Sequence, residues 1–125
     1  MSVAAAQTEP TENNQELQRL LRDSAASFAR RGGVTRARHL RKTKPGIDPD
    51  IWSQLAGQGW LGILIPESFG GQALGYAEMA VVVEELARTL SPEPVVASSV
   101  LSAGLLMGGE NDALKKALLA KIATG

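Results

Sequence analysis

Helix breakers cut this chain into short pieces: Gly32-Gly33, Pro45-Gly46, Gly57 and Gly59, Pro66, Gly70-Gly71, Ser91-Pro92-Glu93-Pro94 and Gly108-Gly109. Inside a helix glycine costs about 1 kcal/mol and proline about 3, so no regular element is expected to cross these points intact. The pieces between them carry their apolar residues at helical spacing. Eighteen alanines and sixteen leucines stand against five aromatic residues, a small, aliphatic set suited to closely packed helices and poorly suited to a sandwich or barrel. The 125 residues make one domain. The expected fold is all-α, a compact bundle of about five helices with one short extended segment.

Each piece has its own signature. Residues 1–12 are small and polar, and a disordered tail is expected there, followed by one domain over 13–125. From Asn13, read as an N-cap with Glu16 as its capping-box partner, Leu17, Leu20, Leu21, Ser24 and Phe28 recur at helical spacing to Arg31. Arg30 to Lys44 holds seven basic residues, no acidic one and little apolar periodicity, and is read as a loop. Asp48-Pro49 is an N-cap followed by proline at the first helical position, opening a short helix with Ile51, Trp52 and Leu55 inward. Trp60 to Ile65 is an apolar run too short for a helix and is expected to be extended and buried. Tyr76, Met79, Ala80, Val83, Leu86, Ala87 and Leu90 form the clearest helical stripe, with Glu84 and Arg88 as an exposed i, i+4 pair. Another helix follows Ser-Pro-Glu-Pro to about Met107. The last begins near Asn111 or Asp112, with Leu114, Leu118 and Ile122 on its inner face.

Much chemistry is excluded. Without cysteine there is no disulfide, thiolate or sulfur metal site, and one histidine, His39, cannot build an imidazole cluster, so no metal is expected. Met1 to Pro10 lacks the basic start and apolar core of a secretory signal, which points to the cytoplasm, and the 16 uncharged residues between Glu93 and Glu110 are too few and too broken for a membrane span. The basic segment could neutralise phosphates, but no aromatic residue interleaves its arginines and no recognition helix follows, which argues against nucleic acid. Gly70 to Gly75 lacks the spacing of a dinucleotide or P-loop cradle. Glu67, Glu78, Glu84, Glu85 and Glu93 are scattered, as surface or capping residues would be, and none stands out as a catalytic base.

The uncharged stretch from Val95 to Met107 is different. A helix without charge must be covered by protein on most sides, yet Ser98, Ser99 and Ser102 place hydroxyls in it. Buried serines often bond back to the preceding turn or allow close packing. The other reading is that the small-residue face lines an apolar ligand pocket.

Gly46-Ile47-Asp48, Trp52, Leu55-Ala56, Gly59-Trp60-Leu61-Gly62, Pro66-Glu67, Phe69-Gly70-Gly71, Gly75, Glu84-Glu85-Leu86-Ala87-Arg88 and Leu118 to Gly125 together resemble the N-terminal helical domain of acyl-CoA dehydrogenases. In order and spacing the likeness runs from about Glu16 to Gly125. It implies a three-domain oxidoreductase with FAD between its domains, which takes an α-proton from an acyl-CoA thioester and passes the β-hydrogen to flavin as hydride. The middle β-domain and the C-terminal helical domain, with the glutamate base and most flavin contacts, are absent from this chain. The resemblance places Ser98 and Ser99 at acyl-pocket positions and carries over no catalytic residue. It implies acyl-CoA as substrate of the complete enzyme and a homo- or hetero-oligomer of flavoprotein subunits as partner. The alternative is a non-catalytic helical module that docks onto a complete flavoprotein subunit.

Overall fold

The computed structural model describes residues 11–125. Among them are six α-helices, one π-helical stretch and two 3-10 turns, with no strand. The helices are α1 (Glu12–Arg30), α2 (Gly33–Leu40), α3 (Pro49–Gly57), α4 (Tyr76–Ala87), α5 (Ala103–Gly108) and α6 (Asp112–Thr124). The π-helical stretch, Val96–Ser102, runs directly into α5.

Helix α1 starts earlier than the sequence suggested, and its cap is Thr11, whose hydroxyl accepts the Asn14 N–H at 3.4 Å. Asn13 and Glu16 form no capping box; Glu16 pairs with Arg19 at 3.2 Å. Most of the expected tail, residues 1–10, lies outside the described residues, and Glu12 already belongs to α1. Helix α1 packs along α4. Ala25 and Phe28 are the buried residues of α1, while Leu20 is 56% exposed. They meet Met79, Val82 and Leu86 of α4 and Leu55 of α3 in the main core. Phe28 meets Trp60 edge to face at 5.4 Å.

The stretch read as a loop contains α2. Its half-buried side carries Arg36, Ala37 and Leu40, and the other side turns Val34, Arg38 and the solvated His39 outward. Apolar periodicity missed it because its anchor is a charge. Helix α3 follows the expectation, with the Asp48 side chain accepting the Asp50 N–H at 3.0 Å and Pro49 in the first turn.

Trp60 to Ile65 is buried as expected but not extended: it is a 3-10 turn, Trp60–Gly62, followed by a further turn. Gly59 in the left-handed region (φ 77°) reverses the chain out of α3, and the compact run then buries Trp60, Leu61, Ile63 and Ile65 in different directions. Burial on all sides gives strand and turn the same continuous apolar signature. The Gly70–Leu74 loop folds back over this run. Gln72 N–H donates to Gly62 O at 2.9 Å, Ala73 N–H to Ile65 O at 2.9 Å and Leu74 N–H to Ile63 O at 2.8 Å.

In α6 the Asn111 side chain accepts the Leu114 N–H at 3.0 Å. Its buried residues are Leu119 and Ala123, which join Ile65 and Ala103 in a second core cluster. Leu114 and Leu118 are 46% and 36% exposed, so the expected stripe is turned towards one flank of the helix. The reason is a groove beside that flank.

Candidate functional site

The groove runs between the π-helical stretch with α5 on one side and α6 on the other, open to solvent, with a volume of about 760 Å³. Pro94, Ala97, Ser98, Ser102 and Leu105 form one wall, Leu118, Lys121 and Ile122 the other, and Trp52 reaches in from α3. The Trp52 indole N–H donates to the Gly125 carbonyl at 3.1 Å, tying α3 to the end of α6. Lys121 is the one charged lining residue. Such a lining of apolar side chains with a few polar groups suits the hydrocarbon part of a ligand.

The three serines of the wall have different surroundings. Ser102 Oγ donates to Ala97 O, five residues back, at 2.8 Å, the separation a π-helix brings together. Ser98 lines the groove. Ser99 does not line it: it is fully buried and its hydroxyl has no hydrogen-bond partner among the described residues. The uncharged stretch is therefore less covered than expected, since Leu101 and Leu105 are 60% and 80% exposed. Nothing in the sequence signalled the π-helical winding.

Three of the carboxylates read as surface or capping groups are buried, and each has a structural bond. Glu78 accepts the Gly75 N–H at 3.0 Å, as a capping residue does, and the Gln18 side chain at 2.8 Å. Burial pushes its carboxyl up, and these bonds outweigh burial to hold it below the ordinary range. Glu85 pairs with Arg22 of α1 at 2.7 Å, while Arg22 and Arg88 share the exposed Glu84. The Glu93 carboxylate is wholly buried and takes both arms of Arg36, at 2.6 and 2.9 Å. Ser91 Oγ donates to it, and the Asp48 N–H lies 3.4 Å away. Burial raises the Glu93 carboxyl, but Arg36 and Ser91 prevail and hold it low. None of these carboxylates lines the groove, and none is free to act as a base.

The Gly70–Gly75 loop is not built as a backbone phosphate cradle. The N–H groups of Gly71 to Gly75 are all committed within the protein, Gly71 to Pro66 O at 3.1 Å. A flavin pyrophosphate would find no free backbone N–H in this loop.

The sequence model of the acyl-CoA dehydrogenase N-terminal domain matches residues 15–125. The chain belongs to the acyl-CoA dehydrogenase family. Among relatives of this N-terminal domain, acyl-CoA dehydrogenase IpdE2 of Mycolicibacterium smegmatis is 35% identical over 81% of this chain and 33% of its own length. Mitochondrial isovaleryl-CoA dehydrogenase of Pongo abelii is 32% identical over 88% of this chain and 27% of its own. The solved structure of a Tcur3481-Tcur3483 steroid ACAD variant superposes with a TM-score of 0.64 at 31% identity, covering 89% of this chain and 29% of that one. The chain thus spans a third or less of the length of these relatives. No helix of the described residues is long and apolar enough to cross a membrane, and among them no cluster of side chains could hold a metal ion.

Proposed function

We propose that this acyl-CoA dehydrogenase N-terminal domain supplies one wall of an acyl pocket in a cytoplasmic, FAD-dependent oxidoreductase that desaturates acyl-CoA thioesters between the α and β carbons. The observation that carries this reading is the groove, an open, mostly apolar depression of about 760 Å³ with a single cation. Ser98 stands in its wall. Ser99 is the second pocket position implied by the family resemblance; it acts from behind the wall, setting how closely the helix packs.

When bound, FAD supplies hydride acceptance. The Gly70–Gly75 loop offers it no backbone cradle, and in this reading flavin and the base are held by other domains of the flavoprotein and the chain alone is inactive. Leu101, Leu105 and Leu118 are then covered by those domains or by a partner subunit of an oligomer. A domain with this face bare self-associates.

The purified chain is expected to elute without yellow flavin and to leave a redox dye unreduced when given acyl-CoA. It is also expected to bind a medium-chain acyl-CoA more tightly than CoA, with Leu105→Asp removing the preference. Retained flavin with dye reduction contradicts the division of labour, and equal affinity for acyl-CoA and CoA contradicts the acyl-pocket role. The alternative reading as an assembly module is favoured if Leu105→Asp abolishes only self-association.

A further inference from the structure

We propose that Arg36 is a positioning residue that sets how Trp52 meets the groove wall, through the buried Glu93 carboxylate; its bearing on acyl binding rests on the pocket reading above. Glu93 lies between Pro92 and Pro94, immediately before the wall that begins with Pro94, Ala97 and Ser98. Its carboxylate is wholly buried and receives both arms of Arg36, at 2.6 and 2.9 Å. The same carboxylate faces the Asp48 N–H at 3.4 Å. Asp48 caps α3, and α3 carries Trp52 into the groove. One buried group thus touches both the start of that wall and the cap of the helix that carries Trp52. Pro92 and Pro94 restrict the backbone around it, so a shift at Glu93 is passed to the first turn of the wall.

The guanidinium is what keeps Glu93 in this position. An ionised carboxylate buried without its partner is strongly disfavoured and either takes a proton or moves towards water. Arg36 can do this where a lysine cannot, because its planar fork meets both carboxylate oxygens at once and its second arm also reaches Ser91 Oγ at 3.3 Å. Beyond Arg36 and Glu93 themselves, the charged group facing the pair is Asp48 ahead of α3. Helix α4 brings only Val83, Leu86 and Ala87 to the adjoining hollow.

Tryptophan fluorescence with iodide as quencher reads the groove directly. Trp52 is partly open while Trp60 is 3% exposed, so quenching reports Trp52. In the 125-residue chain, quenching is expected to be the same at pH 5 and pH 8. In Arg36→Met it should match the unmodified chain at pH 5, where the unpaired Glu93 is protonated, and rise about twofold at pH 8, where it ionises and leaves. Arg36→Met combined with Glu93→Gln should be flat again. His39 and Asp48 are common to all variants, so a pH response present only with Glu93 belongs to the pair. A merely structural Arg36 lowers the melting temperature but gives no such response, and flat quenching in a folded Arg36→Met chain overturns the proposal. If Arg36→Met does not fold, Arg36→Lys, which keeps the charge without the fork, should show a smaller rise, and flat quenching there overturns it equally. Quenching needs no acyl ligand. A failed acyl-CoA preference beside a clear pH response therefore removes the pocket reading and leaves the clasp standing.

Discussion

Gly71 has no room for a side chain. A Cβ there would lie 1.9 Å from the Ile65 carbonyl oxygen, while one on Gly62 would meet the Ala123 Cβ at 3.2 Å and the Gly71 Cα at 3.3 Å. Gly62 of the Gly-Trp-Leu-Gly motif and Gly71 of the Phe-Gly-Gly motif therefore mark the place where two backbones and α6 touch. Gly71→Ala is expected to cost about 3 kcal/mol or more in urea unfolding, because backbone must move, and Gly62→Ala about 1–2. At Ser99 the expectation has the opposite sign. Its buried hydroxyl has no partner, a state that costs about 1–3 kcal/mol, so Ser99→Ala should raise the melting temperature by a few degrees. Gly71 was readable in the sequence as part of a turn, while Gly62 lay in a run read as extended. Their close approach was not readable, because it depends on residues brought together from three separate segments.

Among the elements, α3 and α6 start on readable side-chain caps, and α1 and α4 were readable as helices, but the stripe expected on α4 is not its inner face: Val81 and Val82 are buried with Met79 and Leu86, while Tyr76 and Leu90 are 66% and 61% exposed. The elements misread are those whose shape comes from distant partners. Helix α2 is held through Arg36 by Glu93, 57 residues away. The Trp60 to Ile65 run is bent by Gly59 and roofed by the Gly70–Leu74 loop. The inner face of α6 turned from Leu118 to Leu119 because Leu118 borders the groove. Helix α4 ends in a strained way. Ser91 N–H donates back to Leu86 O at 3.1 Å and Leu90 N–H to Ala87 O at 3.0 Å, placing Leu90 at φ 55° with its side chain 61% exposed. This is the position that glycine favours at a helix end. Relief of about 1–2 kcal/mol of left-handed strain, less the extra freedom glycine has in the unfolded chain, predicts that Leu90→Gly stabilises by about 0.5–1 kcal/mol in a denaturant titration.

For the molecule as a whole, the all-helical bundle was readable from composition and punctuation, and the groove only through the uncharged stretch beside it. Acid stability follows from the buried carboxylates. Glu93 is held below its ordinary range in the folded state, so the unfolded chain takes up its proton first. Its stabilisation is complete above the unfolded value of about 4.3 and fades as pH falls through the lower folded value. Glu93→Gln should therefore be less stable at pH 7, by about 2–3 kcal/mol given that Arg36 stays partly solvated, and its unfolding midpoint should change less between pH 5 and pH 3. The charge distribution has another consequence. Seven of thirteen cations lie between Arg30 and Lys44 with no anion among them, leaving thirteen anions against six cations elsewhere. Among the described residues only Arg36 of those seven is ion-paired. The basic segment is thus a concentrated patch on a chain of zero formal net charge, and at pH 7 and low salt it should hold the chain on a cation-exchange resin.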